Sequence, residues 1–125
     1  MKLALEKAAA SEELFDIDCS QALPAGVTLA SVGTITASPV TDPPVAFGAA
    51  VINQAPATYT DPITGAPDHV APAGTVIQVP VSGGYVPPAA GGAYGSTEYL
   101  VHALATRSDG RAFDAVVRLV VKDAP

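Results

Sequence analysis

Tryptophan is missing from this 125-residue chain, cysteine and methionine occur once each, and six lysines and arginines stand against twelve aspartates and glutamates. Each shortage excludes something. The single cysteine, Cys19, cannot close an intrachain disulfide, so the fold does not rest on an oxidising compartment. A formal charge of −6 leaves no basic patch able to displace counterions from a phosphate backbone. The nearest approach to one is Arg107 with Arg111, and nucleic acid is not an expected partner. No apolar run reaches the length that spans a bilayer, and Leu3-Ala4-Leu5 is interrupted at once by Glu6 and Lys7. Neither a membrane contact nor a signal peptide is therefore expected. With only three Phe and four Tyr, the core must be a thin packing of Val, Leu and Ile around a few rings.

What the chain has in quantity is small apolar residues, proline and glycine. The hydrophobic fraction is 49%, largely Ala and Val, and twelve prolines with eleven glycines favour short strands and irregular loops over helices. The length fits one domain able to bury a core without a metal or disulfide staple.

Residues 1–13 read as an N-terminal arm, with fair helix propensity over Lys2–Ala10 but too short to hold a helix alone. From Leu14 the period becomes two: Phe15, Ile17 and Cys19 alternate with Asp16, Asp18 and Ser20, a strand with one wet face. Val27, Leu29 and Ile35 repeat the pattern, and Gly33 sits where a bulge costs little. Val45–Ile52 is a weaker strand. Asn53–Gly74, with four prolines, reads as a long irregular connection of the kind that is functional or mobile. In Thr75–Val81, Ile77, Val79 and Val81 face one way, and Pro80 predicts a sheet edge or a kink. A second long loop, Ser82–Thr97, is rich in glycine and holds Tyr85 and Tyr94.

The last third reads most sharply. Two β-rich runs flank Ser108-Asp109-Gly110, a three-residue hairpin loop with Gly110 left-handed and Arg107 opposite Arg111. That register puts Tyr99, Val101, Ala103 and Ala105 on one face with Phe113, Ala115, Val117, Leu119 and Val121. Glu98, His102, Thr106, Asp114 and Arg118 fall on the other. The expected architecture is an all-β, immunoglobulin-like antiparallel sandwich of about seven short strands over residues 14–125, with two long Gly/Pro-rich loops.

Each constellation that could carry chemistry has a plainer reading. His102 with Thr106, Asp114 and Arg118 fits the wet face of a sheet. Asp61, Asp68 and His69 match no calcium or zinc spacing. The glycines at 83–84 and 91–95 lack the Lys-Ser/Thr and the following helix of a phosphate cradle. Cys19 shares a face with Phe15 and Ile17, where a thiol packs as a small hydrophobe. Tyr99 opens the inward face of the hairpin and suits a ring whose hydroxyl bonds the backbone at a sandwich corner. No catalytic residue, metal or cofactor is expected. Tyr59, Tyr85 and Tyr94, aromatics set among Gly and Pro, join Arg107 and Arg111 as the expected protein-contact residues.

Three segments together resemble the bacteriophage fiber-tail adaptor proteins, small virion structural proteins. They are Glu12-Glu13-Leu14-Phe15-Asp16-Ile17-Asp18-Cys19-Ser20 with Leu23 and Gly26–Ser31; Thr75-Val76-Ile77-Gln78-Val79 running into Ser82-Gly83-Gly84; and Tyr99-Leu100-Val101 through Ala105-Thr106-Arg107-Ser108-Asp109-Gly110-Arg111 into the Val-rich closing strand. The resemblance covers most of residues 12–121. It implies an immunoglobulin-like, non-enzymatic component of the tail or head-tail region of a virion, partnered by tail, neck or fiber proteins and by copies of itself in a ring. The arm would order on a neighbouring subunit. Cys19 stands where the family tends to carry Trp, and the 53–74 and 85–95 segments are longer than usual. A capsid decoration or cement protein, or a carbohydrate- or protein-binding module, is the alternative.

Overall fold

The alternation that begins at Leu14 produces an all-β chain. The computed structural model describes residues 4–8, 11–60, 63–87 and 95–122, and among them are ten strands and no helix. They are β1 (Ala4–Ala8), β2 (Glu13–Asp18), β3 (Leu29–Ser38), β4 (Val45–Phe47), β5 (Val51–Ile52), β6 (Ala57–Thr60), β7 (Pro67–Ala71), β8 (Val76–Gly83), β9 (Ser96–Arg107) and β10 (Ala112–Lys122). One sheet has the order β1-β10-β9-β3; another has β2-β8-β4 with β5 also on β8; β6 and β7 form a separate ribbon.

The hairpin closes as its loop chemistry predicts. Gly110 has φ 85°, its N–H donates to Arg107 O at 2.9 Å, and Arg107 N–H donates to Arg111 O at 2.8 Å. The register then runs from Thr106↔Ala112 to Ser96↔Lys122. Tyr99, Val101, Ala103, Ala105, Ala115, Leu119 and Val121 are buried, with Phe113 and Val117 packed against them. Phe15, Ile17 and Cys19 from the β2 end and Ile77, Val79 and Val81 of β8 close the same core from the other sheet. On β3 the register shifts between Val32 and Ile35, so the irregularity falls around Gly33.

The differences from the sequence reading have physical causes. The strands number ten, not about seven, and the first sheet is mixed, because β1 runs parallel to β10 from Ala4↔Arg118 to Ala8↔Lys122. Residues 4–8 of the expected arm thus lie as a strand on the chain's own sheet. Outside, Glu6 reaches Lys122 Nζ at 2.9 Å; inside, the Lys7 ammonium donates to Gly83 O at 2.7 Å and to Ala8 O at 2.6 Å. Tertiary pairing outweighs a helix propensity worth only tenths of a kcal/mol per residue.

Strand β8 is interior despite Pro80. Pro80 O accepts from Gly48 N–H at 2.8 Å, so its nitrogen points the same way, at the break between β4 and β5. The missing donor meets a gap in the ladder. Within the segment read as irregular, β6 and β7 pair from Ala57↔Ala71 to Thr60↔Pro67. Asn53, 6% exposed, ties that ribbon to β8: its Oδ1 accepts from the N–H groups of Gly74, Thr75 and Val76, and its Nδ2 donates to Ala55 O and Pro72 O.

Candidate functional site

At one end of the long hairpin stand Arg107, Asp109 and Arg111. Arg107 is half-buried, bonded to the Asp109 carboxylate through a terminal guanidinium nitrogen, with its Nε buried and lacking a hydrogen-bond partner among the described residues. Arg111 is exposed, and its N–H donates to Asp109 Oδ1 at 3.2 Å. Desolvation pulls the Asp109 carboxyl upward. The Arg111 N–H and the two guanidinium charges outweigh it and hold that carboxyl below its ordinary 3.8. Ser108 locks the turn to the chain before β3, its N–H donating to Thr28 O and its Oγ accepting from Thr28 N–H.

At the other end, about 27 Å along β9 at 3.4 Å per residue, Tyr99 anchors the loop that carries Tyr85. Tyr99 is 1% exposed, and its hydroxyl accepts from Tyr85 N–H at 2.9 Å and bonds Thr41 Oγ1 at 2.7 Å. Because Thr41 Oγ1 donates to Pro43 O at 3.0 Å, the Tyr99 hydroxyl supplies the proton between them. The corner role read for Tyr99 is what its hydroxyl performs. The Tyr85 ring stays 40% exposed. Gly83, φ 73°, precedes it at a point where a Cβ would come within 2.4 Å of Pro44 O, so no larger residue fits. Tyr94 lies outside the described residues.

Tyr59 is placed differently. It is half-buried on β6, its ring stacks on His69 at 6.1 Å and 7°, and its hydroxyl points at Asp16 Oδ2, 3.4 Å away. Burial first, then the charges of Asp16 and Asp18, push its phenol above the ordinary 10.0. The His69 Nε2 lies 2.9 Å from Ser20 Oγ and 3.1 Å from Asp18 Oδ2. A Ser-His-Asp triad needs the acid on one ring nitrogen and the nucleophile on the other. Both groups approach the same nitrogen, so the ring cannot relay a proton between them, and the cluster acts as a clamp holding β6–β7 against the polar face of β2, which the ribbon covers so that the Asp18 side chain is only 8% exposed and the face expected to be wet is not. In the sequence His69 stands out only beside Asp61 and Asp68. Asp61 and the Asp68 side chain lie outside the described residues. The signal for the clamp was the alternation Asp16-Asp18-Ser20, which marks the face but not its partner 49 residues away.

The outer face of the hairpin collects the polar set expected of it. His102 Nδ1 lies 3.1 Å from Asp114 Oδ2, and Arg118 forms a two-pronged pair with Glu98, both bonds 2.8 Å. That pair draws Glu98 below its ordinary 4.5 and raises Arg118 further above its already high value. Cys19 is 3% exposed, and burial, then the Asp18 charge, pushes its thiol up to about 12, the reverse of an activated nucleophile. Among the described residues no group of three or more His, Cys, Asp or Glu could hold a metal ion. The structure therefore brings Arg107 and Arg111 together, puts Tyr85 at the opposite end, and engages Tyr59 internally. No protein-family model, curated protein or solved structure matches this chain.

Proposed function

We propose that this chain is a non-enzymatic structural protein of a bacteriophage virion, an adaptor bridging tail or neck components, built as an immunoglobulin-like sandwich. The observation that supports the reading is where the three adaptor-like segments fall. They supply β2, β8 and the β9–β10 hairpin, strands from both sheets around one core, so the resemblance runs through the framework and not through a shared surface loop. The Tyr99 corner and the two sheets closing on one core favour the immunoglobulin-like description. On this reading the protein acts from the virion's tail or head-tail region, with other virion proteins and copies of itself as partners.

Its contacts come from the two ends of the hairpin: Tyr85 on one loop, Arg111 with Arg107 on the opposite turn. Tyr59, stacked on His69, supports the β6–β7 ribbon instead. Tyr85 bonds Tyr99 through its backbone, so Tyr85→Ala leaves the corner intact. Particles made with Tyr85→Ala plus Arg111→Ala are expected to incorporate the protein at least tenfold less, while the isolated variant keeps its melting temperature. Unchanged incorporation would contradict these contacts.

A further inference from the structure

The polar cluster between β2 and the β6–β7 ribbon has one member that no hydrogen bond accounts for. The Asp18 side chain is 8% exposed, and its Oδ2 has no hydrogen-bond partner among the described residues. A buried carboxylate oxygen in that state is costly unless a cation stands beside it. His69 Nε2 lies 3.1 Å from it, near enough for a hydrogen bond but not in the direction of one. The same nitrogen lies 2.9 Å from Ser20 Oγ. An imidazole nitrogen, a carboxylate oxygen and a hydroxyl oxygen thus converge. Their neighbours hold them there: the Ser20 N–H donates to Asp18 Oδ1 at 2.9 Å, and the Tyr59 ring stacks on His69. Asp16, whose Oδ2 faces the Tyr59 hydroxyl, adds a second negative charge, and among the described residues no lysine or arginine pairs with either acid.

We propose that Asp18 Oδ2, His69 Nε2 and Ser20 Oγ bind a divalent first-row transition cation of the zinc class, which ties the β6–β7 ribbon to the end of β2. Ligands about 2.1 Å from a metal and at right angles stand about 3.0 Å apart, whereas tetrahedral ones stand about 3.4 Å apart. The separations of 2.9 Å and 3.1 Å match neighbouring corners of an octahedron. An oxygen on such a corner lies to the side of the ring's lone-pair axis, where a cation reaches it and a ring proton does not. The imidazole selects against calcium and magnesium, which take oxygen ligands. Copper(I) lacks its soft ligand, since the Cys19 thiol is buried and turned to Ile17 O at 3.6 Å. Only two of the three ligands are an acid or an imidazole, so water completes the shell, and the His69 side chain, 21% exposed, leaves it a way in. The proposal rests on this geometry and does not depend on the virion reading.

Calorimetric titration of the full chain with zinc chloride tests it. The wild type is expected to bind one Zn²⁺ with a Kd of about 10 μM. Asp18→Asn and His69→Gln are each expected to weaken binding at least tenfold, because even a residue that only supports a metal ligand is worth about 10–100-fold. His102→Gln, which breaks the exposed histidine–aspartate pair on the other sheet, is expected to leave it unchanged. Co²⁺ is expected to show the weak visible absorption of a six-coordinate ion, lost in the same two variants. Amide exchange gives a second reading in the unaltered chain. Zinc at about ten times its Kd is expected to slow exchange across β6–β7 about tenfold and to leave β9 unchanged. No binding, binding that survives Asp18→Asn and His69→Gln, or binding removed by His102→Gln would overturn the proposal. So would zinc that binds without slowing the ribbon, since the cation would then sit elsewhere.

Discussion

Asn53 shows how one side chain holds a junction. Its Oδ1 takes the N–H groups of Thr75 and Val76, which would otherwise be buried without acceptors at about 1–3 kcal/mol each, and shares that of Gly74 with its own backbone oxygen. Asn53→Ala is therefore expected to cost roughly 3 kcal/mol or more in urea denaturation. Asn53→Asp, which keeps the acceptor but loses the bonds to Ala55 O and Pro72 O, is expected to cost less. Equal losses would show that the oxygen is not the critical atom. Cys19 makes a second claim at this scale, through pH. A thiol raised from 9.0 to about 12 stays protonated in the folded chain while the unfolded chain ionises. Its contribution is whole below pH 9 and is lost as the pH rises towards 12. Between those values wild-type stability is expected to fall more steeply than that of Cys19→Ala, measured by denaturation at each pH. Parallel curves would remove the thiol from the account. The inward position of Cys19 and the bonded hydroxyl of Tyr99 were both readable in the sequence, because period two fixes a face and a buried phenol demands a partner.

At the scale of elements, the β9–β10 register was readable because a local rule decides it: Gly110 takes the positive φ that a three-residue loop needs, and every pair follows. The elements that were not readable are those made by distant partners. β1 exists because β10 offers an open edge and Gly83 O awaits the Lys7 ammonium. β6 and β7 exist where a proline-rich stretch is held by Asn53 and clamped by Asp18, Ser20 and Tyr59–His69. Pro80 misled for the same reason, since the break between β4 and β5 is a property of a neighbouring segment. The clamp carries its own test. His69→Ala is expected to raise amide exchange across β6–β7 about tenfold while the exchange of β8 and β9 stays unchanged. Uniform acceleration would mean that the ribbon belongs to the global folding unit, and no acceleration that the clamp holds nothing.

Over the whole molecule, the outer face of β9 and β10 carries exposed Leu100, Leu104 and Val116, while the two ends of the long hairpin present Tyr85 and the arginine turn. On the proposed reading a ring needs a head-to-tail contact between copies, and Tyr85 and the arginine turn at the two ends of the hairpin are the surfaces proposed to make it. The all-β class followed from the sequence pattern, but the exposed apolar residues on the outer face of β9 and β10 did not, since Leu100, Leu104 and Val116 become neighbours only when β9 and β10 stand side by side. The central claim is that the protein is a tail or neck component, and its copy number tests that most directly. Quantitative mass spectrometry of purified virions, referenced to the major capsid protein, is expected to find about six to a dozen copies per particle, as a closed ring at one vertex requires. Hundreds of copies would make it a capsid decoration protein, and none would contradict the virion reading altogether.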